Sequence, residues 1–316
     1  MTGFRTVTEK LRFPEGPVAM PDGSVLVVEI AGKALTRVKA DGSQQLIAEL
    51  GGGPNGAAIG PDGKCYICNS GGWNYKWEGD LQIPAGNAPE NGWIERVDID
   101  SGAVEKLYSG TDEMPLRSPN DIVFDAHGGF WFTDHGKRIE RQIDRTGIFY
   151  ARRDRDEIRE VIFPMLTPNG IGLSPDGKVL YVAETQPGRL WAFEITGPGE
   201  VAKDYSQALH GGRLVAGLVG MNLLDSLAVD SAGNICVGTL INGGITVISP
   251  DGADVKHIPL PDRYVTNICF GGEDLRTAFV TLSSSGRLVT LEWPQPGLPL
   301  NFLPPGLLAG PTVKHL

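Results

Sequence analysis

A short apolar strand, a turn built from Asp, Gly and Pro, and a second strand recur six times along this 316-residue chain. The copies are PEGPVAMPDGSVLVVEI (14–30), PNGAAIGPDGKCYICNS (54–70), PNDIVFDAHGGFWFTDH (119–135), PNGIGLSPDGKVLYVAE (168–184), LDSLAVDSAGNICVGTL (224–240) and TNICFGGEDLRTAFVTL (266–282). Such a repeat restricts the fold strongly, because one small antiparallel sheet cannot bury both its faces and neighbouring copies must stack. Third and fourth strands follow most copies, as in ALTRVKADGSQQLIAEL, and no long amphipathic helix can be read. The pattern predicts an all-β fold, a six-bladed β-propeller of four-stranded antiparallel blades. No linker of biased composition interrupts it, so residues 1–316 read as a single propeller domain. The Pro-rich segment from about 294 to 316 reads as an extended tail, lying on the surface or closing the ring. The two longest gaps between copies place insertions at Trp73 to Trp93 in the second blade and around Val201 to Leu218 late in the fourth.

The same place in each copy carries Glu15, Asn55, Asn120, Asn169, Asp225 and Asn267. The first strand of every propeller blade lines the central channel and all run in one direction, so these side chains should meet around one mouth. Asn and Asp also favour turns through local backbone bonds, which accounts for Asn55 or Asn267 taken singly. It does not account for Glu15, which begins a strand destined for the interior. Two carboxylates in a narrow channel repel and are driven towards protonation unless a cation lies between them. Carboxylate and amide oxygens suit a hard divalent ion, Ca²⁺ above all, while Zn²⁺ or Mn²⁺ can be accepted at such a site.

A net charge of −10 argues against nucleic-acid binding and favours small molecules or cations as partners. The N-terminus lacks the apolar core of a signal peptide, and no apolar run approaches the ~20 residues needed to cross a bilayer. These features read as a cytoplasmic chain without membrane contact; its oligomeric state stays open. Cys65 and Cys68 have metal-knuckle spacing but sit in a strand, where positions three apart face opposite sides. The four cysteines read as small buried residues in a reduced compartment.

Glu15-Gly16-Pro17, Ser118-Pro119-Asn120-Asp121, Phe130-Trp131-Phe132-Thr133-Asp134, Pro168-Asn169-Gly170 and Asp225-Ser226 together resemble the regucalcin/gluconolactonase family, six-bladed propellers that include lactonases and have diisopropylfluorophosphatase-like phosphotriesterases as relatives. The resemblance implies one divalent metal held by Glu15, Asn169 and Asp225, with Asn120 as a fourth ligand or a substrate contact. It also implies that Asp225 acts on the attacking water. Two departures stand out. Regucalcin-like members carry Arg where this chain has Ser118, and many relatives carry Pro where it has His135.

The activity expected is opening of a small lactone by metal-activated water, with the lactone as the small-molecule partner. The same metal could instead serve a phosphotriesterase, or the propeller could bind calcium without catalysis. Asn120, Asn55, Asp134, His135 and Trp73 are the candidate substrate contacts. His135 either donates to the substrate or leaving alkoxide, or is an exposed loop residue. Trp73, Tyr75 and Trp77 alternate, so an extended stretch would put them on one face, lining the pocket or packing a loop on a blade edge.

Overall fold

The computed structural model describes residues 3–303. Six antiparallel sheets surround an axis. Blade 1 runs through Pro14–Ala19, Val25–Glu29, Ala34–Val38 and Gln44–Glu49, and blade 2 through Pro54–Ile59, Cys65–Asn69, Trp93–Val97 and Val104–Tyr108. Blade 3 comprises Pro119–Phe124, Phe130–Asp134, Arg145–Arg152 and Glu157–Leu166; blade 4 comprises Pro168–Leu173, Val179–Glu184, Arg189–Gly197 and Arg213–Gly217. Leu223–Val229, Ile235–Leu240, Gly244–Ile248 and Val255–Pro259 form blade 5. Blade 6 joins Val265–Gly271, Thr277–Leu282 and Arg287–Glu292 to the N-terminal strand Phe4–Thr8. The predicted six-bladed propeller is therefore the fold, and the ring is closed by its N-terminal strand, not by its Pro-rich tail. Among the described residues no helix is long and apolar enough to cross a membrane.

The recurring Asp-Gly turn has one physical cause in all six blades. Between the first and second strands a carboxylate accepts backbone N–H groups two residues on, as Asp22 does from Ser24, Asp125 from His127 and Asp230 from Ala232. Apolar residues of the second and third strands then fill the spaces between sheets. Trp131 of blade 3 and Trp191 of blade 4, for example, share one buried cluster.

The inner strands are bulged where the sequence repeats. In blade 3, Asn120 and Asp121 lie between the pairs Pro119↔Asp134 and Ile122↔Phe132, so two residues face one. The same irregularity falls at Asn55-Gly56, Asn169-Gly170 and Asp225-Ser226, and one or two residues away in blades 1 and 6. A bulge re-aims the side chain it carries, which is how the anchors reach the axis. Gly170 has a different use from the turn it suggests in the sequence. A Cβ there would stand 2.6 Å from Asp225 O and 2.7 Å from Leu227 N of the next blade. Its missing side chain lets two inner strands touch backbone to backbone.

The insertion in blade 2 is a hairpin, Trp73–Glu78 with Leu81–Asn87, that crosses to blade 6, where Gln82 N donates to Ser284 O at 2.8 Å. A second, small hairpin, Arg138–Ile139 with Gln142–Ile143, rises from blade 3 and meets it. Buried Lys137 ties the two together, its Nζ donating to Ser70 O at 3.1 Å and Ala88 O at 2.9 Å. The tail crosses the opposite end of the ring: Leu298 N donates to Val229 O, and Asn301 Nδ2 to Phe124 O. The rest of the tail, beyond Leu303, lies outside the described residues.

Gly170→Ala should lower stability by ~1–3 kcal/mol, the usual cost of overpacking a tight contact, read as an earlier midpoint in urea denaturation. An unchanged midpoint would mean that the blade 4 and blade 5 inner strands are not held by this contact.

Candidate active site

A cavity of about 500 Å³ opens at the end of the ring where the inner strands begin. Glu15, Asn55, Asn120, Asn169 and Asp225 all line it, while Asn267 turns its amide Nδ2 to Glu15 Oε2 at 2.7 Å. The sequence-derived anchors are thus brought together, with Asn267 supporting Glu15 from the side. All six are buried.

The floor is electrostatically unbalanced. Burial, then the nearby Asp225 carboxylate, push the Glu15 carboxyl well above its ordinary range. Asp225 is pushed up to about 8 by burial, with Asp121 adding to the rise and the Asn169 hydrogen bond opposing it. Among the described residues no lysine or arginine forms an ion pair with either acid; Lys137 is turned away to Ser70 and Ala88. Glu15 Oε2 accepts from Gly16 N and Asn267, and Asp225 Oδ1 accepts from Asn169 Nδ2, which leaves Glu15 Oε1 and Asp225 Oδ2 without protein donors among the described residues. Asn120 Oδ1 is buried and also lacks a hydrogen-bond partner among them. Two carboxylates and an orphaned amide oxygen fit a hard cation, the relief that buried oxygen atoms of this kind require. Among the described residues no three His, Cys, Asp or Glu side chains gather as a metal cluster, in keeping with a set half made of amides.

Asp134 takes a different place from the substrate contact expected of it. It does not line the cavity; its oxygens accept from Arg117 N at 2.6 Å, Ser118 N at 2.6 Å and Gly136 N at 3.1 Å. It belongs to a set at the end of the second strand, opposite the residue that opens the inner strand. Glu29 accepts from Arg12 N, Asn69 from Gly53 N and Glu184 from Leu166 N, each fixing the loop that leads into an anchor.

The next residue in the same position faces the cavity in four blades, as Ile30, His135, Thr185 and Leu240. Sequence reading singled out only His135 of these, although the repeat itself marks the position. His135 is half-buried at the wall. Its Nδ1 lies 3.2 Å from Gly136 O, and Trp73 meets its ring edge-on with centroids 6.1 Å apart. Burial lowers the imidazole to about 4.

Trp73 and Tyr75 line the cavity, while Trp77 is exposed. Tyr75 packs on Phe13, and Phe13 on Tyr264, giving one aromatic side to the pocket. Arg138 also lines the mouth. Its position on an inserted hairpin left no repeat signal by which it could be found.

The family described as SMP-30/gluconolactonase/LRE-like region matches residues 13–284. A lactonase drp35 from Staphylococcus saprophyticus is 26% identical over 245 residues, 76% of this chain and 68% of that protein. A gluconolactonase from Zymomonas mobilis is 24% identical over 308 residues, 89% of this chain and 79% of its own. Among solved structures, the calcium-binding protein regucalcin from Agrobacterium tumefaciens superposes with a TM-score of 0.74 at 17% identity, covering 96% of this chain and 98% of that one, a likeness of fold. With a match that spans all six repeats, the chain belongs to the SMP-30/gluconolactonase/LRE-like family.

Proposed function

We propose that this protein hydrolyses a small lactone with the help of one divalent cation, Ca²⁺ being the best match to the oxygen set. The observation that carries this reading is the cavity floor, where two buried carboxylates and the unpartnered Asn120 oxygen converge. The names of the two sequence relatives, both lactonases, support the choice of substrate class. Glu15, Asp225, Asn120 and Asn169 would hold the ion.

When bound, the cation would polarise the lactone carbonyl and make a water more acidic. The remaining work falls to the side chains. Asn169 holds Asp225 by its Oδ1, which leaves Asp225 Oδ2 to take the proton of the attacking water. Glu15 is kept in position by Gly16 N and Asn267 and contributes charge rather than proton transfer. The hairpin carrying Trp73 and Tyr75 covers one side of the mouth and limits the water that reaches the ring.

Chelator-stripped protein should be inactive on a panel of sugar lactones, simple γ- and δ-lactones and dihydrocoumarin, and regain turnover with Ca²⁺, Mn²⁺ or Zn²⁺. Silence of the folded, metal-loaded protein across the panel would remove the lactonase reading. Asp225→Asn should cut kcat by ~10²–10⁴-fold, the range for loss of a general base, and weaken metal binding. A fully active variant would show that another group takes the proton.

The buried acids also give a pH test. Asp225 has a folded pKa of about 8, above the value for an unfolded Asp, so its proton is held more tightly in the native state. That contribution to stability is complete below ~4, the unfolded value, and disappears as pH rises through 8. In chelator the melting temperature should therefore fall between pH 5 and pH 8, and added Ca²⁺ should restore it most at pH 8. Asp225→Asn should flatten the fall; an equal slope in both proteins would place the responsible group elsewhere.

A further inference from the structure

The cavity presents one side-chain nitrogen whose role follows from its surroundings. The Gly136 carbonyl can only accept, so the His135 Nδ1 beside it at 3.2 Å carries the ring proton. Nε2 is then a bare acceptor, and no described residue donates to it. Three contacts hold this arrangement. His135 N donates to Ser118 O at 2.9 Å, Lys137 N, in the peptide group that carries the Gly136 carbonyl, donates to Asp144 Oδ2 at 3.0 Å and so orients that carbonyl, and Trp73 meets the ring edge-on. Burial keeps the imidazole neutral, with Lys137 acting in the same direction.

A lactone ring itself offers only acceptors, the carbonyl oxygen and the ring oxygen. An acceptor fixed in the pocket wall therefore has nothing to bind on an unsubstituted lactone, and it loses hydration when such a ring enters. We propose that His135 Nε2 accepts a hydrogen bond from a hydroxyl group on the substrate and so makes this site selective for hydroxylated lactones over bare ones. This inference rests on the lactone-hydrolase reading above. It replaces the donor role that the sequence suggested for His135, because the tautomer leaves no proton on the nitrogen available to substrate.

The test compares kcat/KM for D-glucono-1,5-lactone and for δ-valerolactone, which has the same ring size and no hydroxyl groups, in wild type, His135→Asn and His135→Gln. Asn keeps a polar group near Nδ1 but does not reach the Nε2 position; Gln places an amide oxygen close to it. The ratio of the two kcat/KM values should fall about 3- to 10-fold in His135→Asn, mainly through KM for the hydroxylated lactone, and recover in His135→Gln. Melting curves matching wild type confirm that both variants are folded. A ratio unmoved in His135→Asn, or lowered equally in both variants, overturns the assignment of His135 while leaving the hydrolase reading in place. A metal-loaded wild type that turns over neither lactone overturns both. A wild type that prefers δ-valerolactone overturns the selectivity alone.

Discussion

Burial of Glu15 and Asp225 in one narrow floor is the interaction around which the structure is arranged. Two like charges taken out of water and set close together oppose folding unless they are protonated or share a cation. Neither is removed to the surface, and among the described residues no lysine or arginine is paired with them. The anchor ring spends its hydrogen bonds on holding the two acids in place, Asn267 on Glu15 and Asn169 on Asp225. A polar network that positions charges without neutralising them is costly to stability and useful to a binding site.

That floor depends on how closely the inner strands approach. Gly170 lets blade 4 touch blade 5, and Gly56 does the same between blades 2 and 3, where a Cβ would lie 2.4 Å from Asn120 O. Larger residues there would widen the ring and move the anchors apart. The bulges turn the anchors to the axis, and the acids and amides at the ends of the second strands fix the loops that feed them. Packing between blades and geometry at the site are thus one problem, and Gly56 and Gly170 bear on both.

The repeat made the propeller and its anchors legible before any coordinates, because a two-strand unit copied six times has few ways to bury itself. What the sequence hid was set by contacts between copies. Gly170 reads as a turn residue from its neighbours Pro168 and Asn169, and only the approach of blade 5 reveals the close contact. Asp134 reads as a rim carboxylate, yet the N–H groups of Arg117 and Ser118 come from a loop sixteen or seventeen residues away in the chain and claim both its oxygens. The Pro-rich tail offered no pairing partner in the sequence; the strand that closes blade 6 lies at the other end of the chain.

The copies give the floor one recurring position and the rim unlike residues, and this inequality is where selectivity can arise. The floor is built from the anchor position of five blades and is constrained by the charge of its two buried acids. The wall is built from the next residue after the second strand in four blades and from two inserted hairpins. Ile30 and Leu240 present apolar surface from blades 1 and 5, whereas His135 and Thr185 present polar groups from blades 3 and 4. With Phe13, Tyr75 and Tyr264 on the apolar side, the pocket has two unlike faces above a single charged floor. Recognition and chemistry would thus draw on different positions of the repeat, joined through Thr185, whose Oγ1 accepts from Asn169 Nδ2 at 3.0 Å.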